Sequence, residues 1–137
     1  MIVHQATGVA FGEHGLLIEG PPGSGKSTLA LALIDRGATL IGDDAVTLEV
    51  REGKLWALPP PNVAGLLEVR NVGLVRQDTE SAAIALLIQL DTAAPRHIEA
   101  PERIGRAGVQ LPLVRLFPDT HALALRAEMA LSLHGLS

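Results

Sequence analysis

The sequence predicts an α/β fold, and three observations support that prediction. A short apolar run, residues 15–19, leads into the glycine-rich turn 20–25, and a run of helix-forming residues follows from Lys26. The composition is 47% hydrophobic with a mean hydropathy of +0.30, which suits a packed core rather than disorder. Aromatic residues make up only 2%, so leucine, isoleucine, valine and alanine must build that core.

Length and charge narrow the classes of protein that the sequence fits. A chain of 137 residues suits one domain, which we predict to cover residues 1–137. The net charge is −4 with no cluster of lysine and arginine, which argues against nucleic acid or an anionic membrane as the main partner. The sequence has no cysteine and no basic, apolar leader at its N-terminus. We therefore expect a cytoplasmic protein.

The segments that follow the first helix alternate apolar runs with turn residues. That helix should end at Gly37, and residues 38–42 (ATLIG) read as a second strand. Residues 45–50 and 54–58 flank a three-residue loop that contains Gly53, which predicts a β-hairpin. Residues 66–75 mix β-forming residues with a glycine suited to a turn. These patterns predict one hairpin and further short β-segments after the first helix.

The C-terminal third contains two further strands and a helix. Residues 82–90 (AAIALLIQL) are apolar throughout and bounded by turn residues, so we predict a central strand. Residues 109–116 should form an edge strand, because Pro112 cannot donate a hydrogen bond to a ladder. Residues 119–134 predict an amphipathic helix with Asp119 or Thr120 as its N-cap and Gly135 at its end.

The turn between the first strand and the first helix matches the phosphate-binding motif G-x-x-x-x-G-K-[ST] at every fixed position. Its backbone N–H groups and the N-terminus of the following helix can hold an anion. Lys26 would reach the terminal phosphates of a nucleotide, and the Ser27 hydroxyl would ligate Mg²⁺. The candidate nucleotide-binding residues are Gly20, Pro21, Pro22, Gly23, Ser24, Gly25, Lys26, Ser27 and Thr28.

Two carboxylates, Asp43 and Asp44, follow the second predicted strand. Strand ends of an α/β sheet meet at the edge where ligands bind, so these side chains should face the glycine-rich loop. A carboxylate there can partner a metal ion or accept a proton from an attacking hydroxyl. Adjacent side chains of an extended segment point in opposite directions, so the pair can serve both tasks.

Three blocks together resemble the catalytic domain of bacterial HPr kinase/phosphorylase. The first block runs from His4 through the phosphate-binding loop and Arg36-Gly37 to Asp43-Asp44. The second, residues 67–75 (LEVRNVGLV), is similar to the family's L-E-I-R-G-L-G-I signature. The third, residues 102–105 (ERIG), is similar to its E-R-L-G segment. The resemblance implies a P-loop-containing, phosphoenolpyruvate-carboxykinase-like kinase domain with a mixed β-sheet.

The resemblance also implies an activity and a role for each matching residue. Family members use ATP and Mg²⁺ to phosphorylate a serine of HPr, the phosphocarrier protein of the sugar phosphotransferase system, and often reverse the reaction by phosphorolysis. They form homo-oligomers, typically hexamers. By this resemblance Asp44 is the general base, Lys26, His4 and Arg103 position phosphate, and residues 67–76 belong to the catalytic loop. The implied Mg²⁺ ligands are Ser27, Glu68 and Asp43.

The sequence departs from the family pattern in three places. The resemblance begins near residue 3, so we expect a short form without the N-terminal domain of typical members. Asn71 stands where the signature usually has glycine. Residues 116–121 lack the two arginines of the segment associated with phosphorolysis, which favours the kinase direction. Two other functions stay open on the residues alone, a small-metabolite kinase and a non-catalytic nucleotide-sensing regulator.

Overall fold

A large mixed β-sheet covered by two helices dominates the computed structural model, which describes residues 1–62, 64–119 and 121–137. The helices are α1 (Lys26–Asp35) and α2 (Leu123–His134). The strands are β1 (Ile2–His4), β2 (Thr7–Phe11), β3 (His14–Glu19), β4 (Thr39–Gly42), β5 (Val46–Arg51), β6 (Lys54–Leu58), β7 (Leu66–Val69), β8 (Gly73–Arg76), β9 (Ala82–Leu90), β10 (Glu102–Arg106) and β11 (Val109–Leu116).

Within the described residues, nine strands form the large sheet and β7 and β8 form a separate hairpin. Seven strands of the large sheet follow the order β1-β5-β6-β9-β3-β2-β4. The strand that enters the glycine-rich loop, β3, pairs in parallel with β9 and antiparallel with β2. The carboxyl ends of β3 and β9 therefore lie side by side, which confirms the predicted α/β fold and the central position of β9.

The sheet is buried on both faces because alternate residues of its central strands serve two cores. On the helix side, Leu16 and Ile18 of β3 pack with Leu33 of α1 and Ala127 of α2. On the opposite side, Leu17 packs with residues of β5, β6 and β11. A central strand buried in this way reads as a continuous apolar run rather than as an alternating one.

The first helix follows its prediction closely. It begins at Lys26 and ends at Asp35, and the next two residues complete its last turn. The N–H of Gly37 donates to the carbonyl of Ile34 at 3.0 Å, and Gly37 has a φ of 111°. Glycine adopts this left-handed conformation without the steric cost that a side chain would add, so the predicted C-terminal stop is confirmed.

Three local predictions are wrong. The β5–β6 loop has two residues, Glu52 and Gly53, rather than three, because Arg51 pairs directly with Lys54. Both loop residues have positive φ, 51° and 77°, as a two-residue hairpin turn requires.

The second wrong prediction concerns β11, which is not a simple edge strand. The first half of β11 pairs with β10, and its second half pairs in parallel with β9. Pro112 lies before the β9 ladder begins, where its missing N–H costs no hydrogen bond to β9.

The third wrong prediction concerns the start of α2. The helix begins at Leu123 with Ala122 as its N-cap, not at Asp119. The Asp119 carboxylate accepts a hydrogen bond from Arg126 at 2.7 Å and is therefore tied to the helix surface rather than to its first N–H groups. Thr120, the other predicted cap, lies outside the described residues, whereas Gly135 ends the helix as predicted. Neither helix is long and apolar enough to span a membrane.

Candidate functional site

The glycine-rich loop connects the carboxyl end of β3 to the N-terminus of α1. Gly20 has no room for a side chain, since an added Cβ would lie 2.7 Å from Ser24 Oγ and 3.1 Å from Leu90 Cβ. Gly25 is the N-cap of α1 with a φ of 101° and has no side chain to occupy the helix N–H groups. Those N–H groups stay available to an anion, as the motif predicts.

The side chain of Lys26 folds back over the loop that precedes it. Its ammonium donates hydrogen bonds to the carbonyls of Gly20 at 2.9 Å and Pro21 at 3.2 Å. These contacts hold the positive charge across the opening of the loop, where it can meet the terminal phosphates of a nucleotide.

The carboxylate of Asp43 joins three parts of the chain. Oδ1 accepts hydrogen bonds from Ser27 Oγ at 2.6 Å and from Thr7 Oγ1 at 3.2 Å. Oδ2 accepts the backbone N–H of Glu68 at 3.0 Å. Asp43 therefore holds the start of α1, strand β2 and the β7–β8 hairpin in one arrangement.

Thr7 is a site residue that the sequence motifs do not reveal. It is fully buried, and its hydroxyl donates to Asp43 Oδ1 while accepting the backbone N–H of Asp44 at 3.2 Å. Asp44 has a φ of 67°, a left-handed conformation that costs a non-glycine residue free energy unless its surroundings hold it. The only sequence signal for Thr7 is a polar residue at the start of an apolar run, which is too common to identify a site.

Eight of the predicted site residues line one open cavity of about 240 Å³. Lys26, Ser27 and Thr28 line it from α1, and Asp44 and Glu68 line it from the strand ends beyond. Pro22, Gly23 and Gly25 of the loop complete the wall, together with Arg70. Arg70 adds a second cation, so the cavity holds two positive and two negative side chains among the described residues.

The β7–β8 hairpin delivers Glu68 and Arg70 to this cavity. Leu67 is fully buried in the helix-side core and anchors the hairpin, while Glu68 and Arg70 alternate with buried or half-buried neighbours. Asn71 has a φ of 69° in the loop between the strands. Asparagine tolerates this conformation better than most other residues with a side chain. The loop can therefore keep the left-handed backbone that a glycine at position 71 would allow.

His4 and Arg103 are not among the residues that line the cavity. His4 Nε2 lies 2.7 Å from Glu19 Oε2, one residue before the loop, and Arg103 is an exposed residue of β10 paired with Pro112. Another arginine of β10, Arg106, binds the Glu19 carboxylate with two hydrogen bonds of 2.7 and 3.1 Å. The structure thus places His4 beside the loop through Glu19 and leaves the predicted phosphate contact of Arg103 as a prediction.

The partners of Glu19 also shift its titration. Burial opposes the charged form of this carboxyl, but the hydrogen bonds from Arg106 and His4 outweigh burial and lower its pKa. Glu19 is therefore ionised at neutral pH. A charge-assisted contact of this kind fixes the strand end from which the glycine-rich loop departs.

The oxygen donors of the cavity fit Mg²⁺. Ser27 and Glu68 line the same cavity. The Ser27 hydroxyl donates a hydrogen bond to Asp43, which leaves the lone pairs of the Ser27 oxygen available for a cation. No group of three or more histidine, aspartate or glutamate side chains suited to a metal ion occurs in the described ranges. That is compatible with Mg²⁺ at a phosphate site, because the ion takes one or two carboxylates and completes its shell with water and phosphate oxygens.

The fold and the site together define a P-loop kinase-like protein, with the loop at the carboxyl end of the parallel pair β3–β9 and two carboxylates at the end of β4 in the same sheet. The chain belongs to the family described as the HPr Serine kinase C-terminal domain, whose model matches residues 2–110. The predicted family and fold class are therefore confirmed.

Curated relatives and a solved structure agree with this assignment. The HPr kinase/phosphorylase of Clostridium tetani is 49% identical over 61 residues, which cover 44% of this chain and 20% of that protein. The enzyme of the same name from Streptococcus thermophilus is 34% identical over 116 residues, covering 74% of this chain and 38% of the relative. The Hpr(Ser) kinase/phosphatase of Coxiella burnetii superposes with a TM-score of 0.83 at 26% identity, covering 96% of this chain and 95% of that one. This chain thus spans well under half the length of the curated relatives it matches.

Proposed function

We propose that this protein is an ATP- and Mg²⁺-dependent protein serine kinase that phosphorylates an HPr-type phosphocarrier protein. The single observation that carries the proposal is the position of Asp44, which lines the same 240 Å³ cavity as Lys26 and Ser27. A protein that only bound nucleotide with Mg²⁺ would need the loop and a metal ligand such as Glu68, but not a second carboxylate to accept a proton. The names of the relatives supply the acceptor, a serine of HPr.

The chain's own residues account for each part of the transfer. The loop N–H groups and Lys26 would bind the β- and γ-phosphates, and Arg70 would add charge on the acceptor side of the cavity. Asp44 would accept the proton of the serine hydroxyl as its oxygen bonds to the γ-phosphorus, while the bond from that phosphorus to the β–γ bridging oxygen breaks and ADP leaves. Mg²⁺ bound by Ser27 and Glu68 would neutralise charge on the transferring group.

Asp43 supports this chemistry through its contacts rather than by touching the phosphate. Its hydrogen bond of 2.6 Å orients the Ser27 hydroxyl, and its contact with the Glu68 N–H holds the hairpin against α1. His4 would act in a similar way on the start of the loop, through the Glu19 carboxylate. Both are therefore proposed as positioning residues, and Arg103 stays a proposed phosphate-binding cation.

The reverse direction, phosphorolysis of the phosphoserine, is part of the names of the relatives. In that direction Asp44 would return the proton to the serine oxygen. Residues 116–121 carry no arginine, so this chain offers fewer cations for an attacking inorganic phosphate near the end of β11. We propose that the kinase direction dominates in this protein, and that it works as a homo-oligomer in the cytoplasm.

Intact-mass spectrometry of an HPr-type carrier incubated with this protein, ATP and Mg²⁺ tests the proposal. We expect one added phosphate on a serine, and loss of that product with Asp44→Asn and with Lys26→Ala. Asp35→Asn and Lys54→Ala are matched controls, because both residues are exposed and lie outside the cavity. An unmodified carrier in the presence of a protein that binds ATP would contradict the kinase assignment for that carrier. It would shift support to a small-metabolite kinase or a nucleotide-sensing regulator.

A further inference from the structure

A second cavity lies on the other side of the glycine-rich loop. It has a volume of about 540 Å³ and shares Pro22 and Gly23 with the first cavity. Its opposite wall consists of the end of β9 with Gln89, of Asp91 and Thr92 directly after that strand, and of Pro118 after β11. The loop therefore separates two open cavities. The proposed phosphoryl transfer takes place in the first of them, and the second has no role in it.

The strand order gives the two spaces different chemistry. Asp43 and Asp44 follow β4, which is separated from β3 by β2, so the carboxylates and the transfer reaction lie on that side of the loop. On the other side β9 runs parallel to β3, with Gln89 opposite Glu19, and β11 runs parallel to β9, with Leu116 opposite Leu90. The carboxyl ends of three parallel strands thus border the second cavity, which is where open α/β sheets bind ligands.

Size also separates the two spaces. The first cavity, at about 240 Å³, is smaller than the 300–1,000 Å³ typical of sites for small organic ligands, whereas the second lies within that range. A nucleotide whose terminal phosphates occupy the first cavity must place its ribose and base elsewhere, and the shared wall at Pro22 and Gly23 connects it directly to the second.

The second cavity offers the groups that a nucleoside needs. Asp91 accepts the N–H of Ala93 at 2.8 Å and a hydrogen bond from Arg115 at 3.1 Å, which leaves further lone pairs of its carboxylate for hydroxyl donors. The Gln89 amide can donate and accept, and the rings of Pro22 and Pro118 present apolar surface for a flat base. A triphosphate, in contrast, would meet the negative charge of Asp91 there.

We propose that the cavity between the glycine-rich loop and the ends of β9 and β11 binds the nucleoside part of the nucleotide, with Asp91 accepting hydrogen bonds from the ribose hydroxyls and Gln89 contacting the base. This inference rests on the proposed function, because it assumes that the first cavity binds the nucleotide's phosphates. Asp91 and Gln89, which lie outside the glycine-rich motif, would make the protein prefer a nucleoside phosphate to an inorganic polyphosphate as the phosphoryl donor.

Calorimetric titration with two Mg²⁺-complexed ligands, ADP and inorganic pyrophosphate, separates the nucleoside from the phosphates. Asp91→Ala and Gln89→Ala should each weaken ADP binding about tenfold or more and leave pyrophosphate binding within twofold. Asp35→Ala and Gln110→Ala are matched controls on exposed positions away from the cavity, and should change neither ligand. Lys26→Ala should weaken both ligands, since it acts on the phosphates.

A ligand lacking the 2′- and 3′-hydroxyls tests the ribose contact directly. Dideoxy-ADP should bind the unmodified protein several-fold more weakly than ADP, and Asp91→Ala should remove that difference, because the same hydrogen bonds are then already lost. Equal weakening of ADP and pyrophosphate by Asp91→Ala, or an unchanged affinity for ADP, would overturn the inference while leaving the phosphate site intact. Failure of the unmodified protein to bind either ligand would refute the proposed nucleotide site itself.

Discussion

Replacing Thr7 by valine removes one hydroxyl from the protein and changes little else. Valine has nearly the same shape, and position 7 is fully buried in β2. The change removes the hydrogen bond to Asp43 Oδ1 and leaves the N–H of Asp44 without its partner. The Asp44 backbone then keeps its left-handed φ of 67° with less support.

The expected loss of stability follows from these two contacts. A buried donor left without an acceptor costs about 1–3 kcal/mol, and a hydrogen bond to a charged group contributes about 1.5–3 kcal/mol. Because Asp43 keeps its bonds to Ser27 and Glu68, we expect the lower part of the sum, about 2.5–3.5 kcal/mol in the free energy of unfolding. Without the hydrogen bond from its N–H to Thr7, the Asp44 side chain should also be positioned less well for proton transfer. The rate of serine phosphorylation should therefore fall about 10- to 100-fold.

Urea denaturation and the carrier phosphorylation assay measure the two effects on the same samples. Thr47→Val is the matched control, because Thr47 is also buried but lies in β5, paired with Val3 and Leu58. It should change activity by less than about twofold, since its side chain is not part of the site. A Thr7→Val protein with unchanged midpoint and unchanged rate would refute the role assigned to this hydroxyl.

Three further predictions concern the same site. Ser27→Ala should abolish the gain in ADP affinity that Mg²⁺ provides, while affinity measured in a chelator stays the same; an intact Mg²⁺ effect would rule out Ser27 as a ligand. Because the pKa of Glu19 is lowered in the folded protein, its contribution to stability is present above the unfolded value of about 4.5 and is lost as pH falls through the folded value. The urea midpoint should therefore fall less steeply between pH 7 and pH 3 for Glu19→Gln than for the unmodified protein. The same dependence of the midpoint on pH in both proteins would contradict this. Asn71→Gly should keep stability within about 1 kcal/mol, whereas Asn71→Val should lose about 1–2 kcal/mol because a β-branched residue disfavours φ near 69°; equal thermal midpoints for the two would count against strain in this loop.

Local sequence was enough for the features that depend on neighbouring residues. The glycine-rich loop, the helix from Lys26 to its stop at Gly37 and the central strand 82–90 were all predictable, because each depends on short-range conformational preferences or on an unbroken apolar run. The placement of Asp43 and Asp44 at a strand end beside the loop followed from the same short unit.

Features decided by distant parts of the chain were not predictable in this way. The N-cap of α2 was mispredicted because Arg126 binds the Asp119 carboxylate, and β11 was misassigned because its two halves pair with different strands. Local patterns contain no information on such contacts. Arg70 reads as the solvated side of a hairpin until the buried Leu67 turns that hairpin towards the cavity.

From the sequence alone, the glycine-rich loop was predictable as a phosphate-binding motif and the chain as a member of the HPr serine kinases, because the motif residues are adjacent and their geometry follows from backbone sterics. Only the tertiary structure decided what surrounds that loop. It brought Thr7, Asp43 and Glu68 together from three elements, and it opened a second cavity at the ends of β9 and β11. The physical reason is that hydrogen bonds and cavities between distant segments arise from packing of the whole sheet, which no single segment encodes.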